Sequence, residues 1–175
     1  TQIELIRKEN LQHGDVYVTE YQSAGRGRLD RTFEATKSSA LLFSIYLEPK
    51  RSKLEWSAIP LLAGLSLVNE LKSLDAKVVT NLKWPNDLLI ETKPAEFKKI
   101  GGILVQRKDE FVVIGIGMNV DLQLDELPTE NATLLSLIEI HTSRESLIAE
   151  LVVELEKVTK LAAEEWVPLY VADSS

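Results

Sequence analysis

The spacing of apolar and polar positions changes along the chain, and each spacing predicts a different element. Residues 3–11 carry a weak apolar face at helical spacing and predict a short helix. After the turn His13-Gly14-Asp15, the run from Val16 to Gln22 alternates as a strand does. Ala40 to Leu47 is an apolar strand, stopped by Pro49. Ser57 to Leu74 is apolar almost all round and predicts a buried helix. Pro60 is tolerable in its first turn, and Gly64, which costs about 1 kcal/mol relative to alanine in a helix interior, predicts close packing there.

Asn81 to Trp84 and Leu88 to Glu91 predict a hairpin interrupted by Pro85-Asn86-Asp87, with a polar loop from Thr92 to Lys98. Two further strands, Gly102 to Gln106 and Phe111 to Ile116, flank the turn Arg107-Lys108-Asp109-Glu110. Leu134 to Ile140 predicts a short helix. Thr142 with Glu145 has the capping-box pattern, opening a helix with Leu147, Ile148, Leu151, Val152, Leu155, Val158 and Ala162 on one face. Strands in adjacent runs, with helices inserted between or after them, predict an α+β domain with a largely antiparallel sheet.

Composition narrows what such a domain serves. A chain of 175 residues, 45% of them hydrophobic, suits a single domain spanning 1–175. Its 20 Lys+Arg against 27 Asp+Glu give a net charge of −7, which disfavours a broad nucleic-acid footprint. With no cysteine there are no disulfides, thiolate metal sites or thiol nucleophiles, and His13 and His141 are too far apart to predict a histidine metal cluster. Apolar runs such as Ile59 to Leu65 fall far short of the ~20 residues that span a bilayer, and no signal segment opens the chain. A cytoplasmic protein without membrane association is expected.

Four polar or glycine-rich segments stand at predicted strand ends, where ligand loops belong. Gly25-Arg26-Gly27-Arg28-Leu29-Asp30-Arg31 sets three arginines among glycines, offering planar multi-donor cations to carboxylates or phosphates. Lys83-Trp84-Pro85-Asn86-Asp87 reads either as a proline turn or as a phosphate-binding cation beside a carboxylate for magnesium. Lys99-Ile100-Gly101-Gly102-Ile103-Leu104 opens an apolar strand with two glycines, marking a bulge or the close approach of another group. Gly115-Ile116-Gly117-Met118-Asn119 repeats that pattern and ends in an amide able to bond a base or ribose.

In this order and spacing, the four segments, the first extended back to Glu20-Tyr21-Gln22, resemble the hallmark blocks of the biotin protein ligase family over nearly the whole chain. The resemblance implies a class II synthetase-like α+β domain, with a mixed, largely antiparallel sheet flanked by helices. It also implies activation of biotin by MgATP to biotinyl-5′-AMP and transfer to a lysine of a biotin carboxyl carrier protein domain. Thr1, Gln22, Arg26, Gly27, Arg28, Lys99, Gly101 and Gly102 would then border biotin. Arg28, Arg31, Phe33, Lys83, Asn86 and Asn119 would serve ATP; Arg28, Lys99 and Lys83 would be catalytic, and Asp87 would hold magnesium. No tightly bound prosthetic group, nucleic acid or membrane is implied, and some relatives form homodimers.

Relatives carry glycine where this chain has Asp30, and often tryptophan where it has Phe33. They also carry a Ser-Thr-Asn segment of which Thr1-Gln2 would be the end, and a C-terminal SH3-like domain, so the chain is expected to lack both. The alternatives are a lipoate or octanoate ligase of the same superfold and a catalytically weak biotin-binding module.

Overall fold

The structure is a computed structural model and describes residues 1–22, 25, 40–121, 127 and 129–174. Strand β2 (Ala40–Leu47) is buried along its whole length because both of its faces are covered. Side chains alternate across a strand, so Leu41, Phe43, Ile45 and Leu47 enter the main core while Leu42 and Tyr46 join smaller clusters on the opposite face. Around β2 stand β1 (Val16–Val18), β3 (Thr80–Lys83), β4 (Asp87–Lys93), β5 (Glu96–Arg107) and β6 (Val112–Asn119), in the order β1-β2-β6-β5-β4-β3. All five pairings are antiparallel. The expected mixed sheet is therefore antiparallel, and parallel pairing among the described residues is limited to the isolated bridges Leu82↔Ser174 and Lys99↔Ala132.

Helices α2 (Ile59–Leu74) and α3 (Arg144–Val158) cover one face of the sheet and enclose the main core. Gly64 lets α2 approach closely, since a Cβ there would lie 3.0 Å from Leu82 Cδ2. Helix α1 (Gln2–Ile6) lies on the other face, where Leu5 packs with Tyr46 and Val113. Helix α4 (Ala163–Ala172) turns Trp166 against Leu62 and Leu65.

Several elements depart from the pattern in the sequence. The first helix stops at Ile6 rather than continuing to residue 11, and Asn10 takes a left-handed φ of 59° as the chain reverses. The strand beginning at Val16 ends at Val18, short of Gln22. Thr92 to Lys98 is not a loop but the end of a hairpin, with Lys93 opposite Glu96 and Ala95 at φ 63° in the turn. Ion pairs from Lys93 and Lys98 to Glu96 explain its polarity: this end of the sheet stands in solvent.

The helix expected from Ser57 begins as a 3-10 turn at Lys53–Ala58, and Leu134 to Ile140 holds only a 3-10 turn at Leu135–Ile138. Ser143, not Thr142, caps α3, its Oγ accepting from the Ser146 N–H at 3.0 Å. Ala162 falls outside α3. Just past the end of that helix the Arg51 guanidinium donates to the carbonyls of Thr159 and Leu161 at 2.7 and 2.8 Å. Ala162 then starts α4, its N–H donating to Glu165 Oε2 at 2.7 Å.

Candidate functional site

On the sheet face opposite α2 and α3, the central strands carry small residues and leave a groove of about 450 Å³. Its floor follows from the register. Gly102 stands opposite Gly117, which stands opposite Leu42; the next row is Leu104, Gly115 and Ser44. Ser44 is fully buried and its hydroxyl has no hydrogen-bond partner among the described residues.

A β-bulge brings lysine and glycine together on this face. Ile100 and Ile103, three positions apart, both enter the main core, which strict alternation forbids. The register shift between Leu88 and Leu89, which pair with Gly101 and Lys99, absorbs the extra residue. Lys99 and Gly102 consequently both line the groove. Lys99 Nζ lies 2.6 Å from Asp87 Oδ1, so an ion pair holds the ammonium beside the glycine floor. Asn86, at the turn between β3 and β4, fixes that turn to β5 by accepting the Ile103 N–H at 2.9 Å.

Thr1, Gln22, Asn86, Lys99 and Gly102, predicted from the sequence, thus converge on one groove. Others lie elsewhere. Gly101 is not among the lining residues: a Cβ there would stand 2.8 Å from the carbonyl oxygen of Gly117, so its glycine is required by strand packing. Asn119 is buried, is not among the groove's lining residues, and donates one N–H of its Nδ2 to the Thr133 carbonyl at 3.0 Å. Lys83 is exposed at the end of edge strand β3 and does not line the groove. Asp87, expected to hold magnesium, is neutralised by Lys99, and no group of three or more metal-ligating side chains exists among the described residues. Arg26, Gly27, Arg28, Asp30, Arg31 and Phe33 lie outside the described residues.

Tyr17 and Gln106 line the groove without having been singled out, and so does Gln2, which the sequence placed only with Thr1 at the end of the Ser-Thr-Asn segment of relatives. The signal for Gln106 was parity, two positions beyond Leu104 on β5. Gln2 had none beyond its neighbour Thr1, because its place depends on where α1 docks. No helix among the described residues is long and apolar enough to cross a membrane.

Residues 1–121 match the family model described as Biotin/lipoate A/B protein ligase family. The biotin--[acetyl-CoA-carboxylase] ligase of Mycobacterium tuberculosis is 34% identical over 146 residues, 82% of this chain and 53% of that protein. The bifunctional ligase/repressor BirA of Escherichia coli is 30% identical over 175 residues, 96% of this chain and 53% of that protein. The chain therefore spans about half the length of these curated relatives. Among solved structures, the biotin protein ligase from Aquifex aeolicus in complex with biotin and ATP superposes with a TM-score of 0.78 at 30% identity, over 94% of this chain and 68% of that one. A fold shared with that ligase, and a match running through every block that builds the groove, place the chain in the biotin/lipoate A/B protein ligase family.

Proposed function

We propose that the protein activates biotin with MgATP to biotinyl-5′-AMP and passes it to a lysine of a biotin carboxyl carrier protein domain. The observation that carries this reading is the groove in which a glycine floor ends at the Lys99 ammonium. Fused rings lying against a sheet need a floor without side chains, and Gly102 beside Gly117 supplies one. A carboxylate needs a cation at one end, and Lys99 supplies it. Solved relatives in complex with biotin and ATP, and with biotinylated ATP bound, support the choice of ligands. The carboxylase in the mycobacterial relative's name supports the carrier.

In the first half-reaction a biotin carboxylate oxygen attacks the α-phosphorus of ATP; the new C–O–P link forms as the bond to pyrophosphate breaks. Two anions must meet for this, and Lys99 offsets charge on the acid while Asp87 orients Lys99. Arg28 and Arg31 would serve the phosphates, Arg26 and Gly27 would border biotin and the forming acyl phosphate, and Phe33 would cover the adenine. Asp87 is already paired with Lys99, and no group of three or more metal-ligating side chains stands among the described residues, which suits a magnesium ion arriving with the nucleotide rather than one resident in the protein. In the second half-reaction the carrier lysine's amine attacks the acyl carbon, and AMP leaves with the electron pair of the acyl–oxygen bond. No protein nucleophile takes part, in keeping with a chain that has no cysteine.

Biotin-dependent exchange of labelled pyrophosphate into ATP tests adenylation, and the mass shift of a carrier domain tests transfer. Both are expected with biotin. Labelling by lipoate alone would overturn the choice of acid, and biotin binding without exchange would reduce the protein to a binding module.

A further inference from the structure

Gln2 occupies the groove at the end away from Lys99. A Cβ on Gly115 would meet Gln2 Cδ at 2.9 Å and Cγ at 3.0 Å, so the side chain rests directly on the β6 backbone. Its Nε2 donates to the Leu104 carbonyl at 2.7 Å and to the Val113 carbonyl at 3.1 Å, one on each of two neighbouring strands. A primary amide has two N–H donors, and both are spent. Flipping the amide would set its oxygen against two carbonyl oxygens, so the orientation is fixed; Oε1 accepts from Gln106 Nε2 at 3.3 Å. Gln2 also opens α1, which Leu5 anchors among Tyr46 and Val113. The side chain is fixed at both ends.

Lys99, Gly102, Leu104 and Gln106 line the groove in that order along β5. Gly102 and Leu104 are two positions apart, about 7 Å along the strand. An acid with its carboxylate at Lys99 and its body over Gly102 and Gly117 runs towards Gln2.

We propose that Gln2 is the end wall of the acid pocket, setting by its volume how far the distal ring of the acid can extend. The inference rests on the biotin reading and deepens it. Gln2 is a specificity residue that works by exclusion, because its donors are committed to the sheet and not to a ligand.

The test is calorimetric titration with biotin and with biotin methylated on a ureido nitrogen, using the unaltered protein, Gln2→Ala and Gln2→Met. Circular dichroism melts establish that each variant is folded. The unaltered protein is expected to bind biotin and discriminate against the methylated acid. Gln2→Ala narrows that ratio by about tenfold or more, the scale on which a pocket senses a single methyl or methylene. Gln2→Met keeps the ratio, because it matches glutamine in length without its amide. In pyrophosphate exchange the narrowed ratio appears in the KM values of the two acids. An unchanged ratio in folded Gln2→Ala overturns the inference, and so does an equal loss of discrimination in Gln2→Met, which would assign the effect to hydrogen bonding. An unaltered protein that binds no biotin overturns the biotin reading and this inference with it, whereas biotin binding with an unchanged ratio overturns the inference alone.

Discussion

One methyl group added at Gly101 and, separately, at Gly102 has opposite consequences in this structure. The Cβ of Gly101→Ala would stand 2.8 Å from the Gly117 carbonyl oxygen, 3.4 Å from Met118 Cα and 3.5 Å from Met118 Cβ. The two closest atoms are backbone of the paired strand, so no rotamer change relieves the clash. Overpacking of this kind costs about 1–3 kcal/mol. At about 2–4 °C per kcal/mol for a domain of this size, Gly101→Ala should melt roughly 2–12 °C lower. Among the described residues the Cβ of Gly102→Ala meets nothing closer than Lys99 Nζ at 3.6 Å, an ordinary contact. Its melting point should stay within the range set by about 0.5 kcal/mol. The same methyl would stand on the groove floor, where a cost of about 1–3 kcal/mol to a ligand is roughly a 5- to 150-fold loss of affinity. Melts without ligand and calorimetry with biotin separate the two effects. Equal destabilisation by both variants, or biotin binding as tight in Gly102→Ala as in the unaltered protein, would refute the assignment of floor and packing.

Lys99→Met should leave the melting point nearly unchanged, because the ion pair with Asp87 is partly exposed. It should weaken biotin binding by about tenfold or more, the value of a charge-assisted hydrogen bond; unchanged binding would remove Lys99 from the site. Asn119→Ala leaves the Thr133 carbonyl without its amide donor and should cost about 1–3 kcal/mol of stability. A raised KM for ATP with an unchanged melting point would instead return Asn119 to the nucleotide. Burial first, then Glu150 and Glu154, raise the Glu70 pKa above the ordinary carboxyl value of 4.5. The folded state therefore holds that proton to higher pH than the unfolded chain, and stability falls as pH rises from 4.5 through the raised value. Glu70→Gln should melt higher than the unaltered protein at pH 7 and converge with it at about pH 4 or below; a constant difference across that range would point to packing.

What the sequence by itself determined was what depends on chain neighbours. Ala40 to Leu47 is a strand over the residues its apolar run marks, and α2 ends at Leu74 as its pattern requires. The Lys83 to Asp87 block joins the ends of β3 and β4 and Asn119 ends β6, whereas Lys99 to Leu104 lies inside β5 rather than opening it; Lys99 and Gly102 nonetheless reach one groove. Thr92 to Lys98 escaped this reading because its polarity reflects solvent at the end of the sheet, whereas its strand pairing is a property of the partner.

The tertiary structure decided which of those residues are free to act. Asp87 and Lys99 meet across two strands, and one N–H of Asn119 is held by a carbonyl 14 residues away. Gly101 and Gly102 look alike in sequence, yet one faces a backbone oxygen and the other an open groove, because a bulge in the pairing of β4 and β5 changes which face each residue meets. Gln2 bonds a carbonyl 111 positions along the chain. Local spacing sets the period of a side chain's direction, but its partners are set by register and docking, which bring together atoms that share no local pattern.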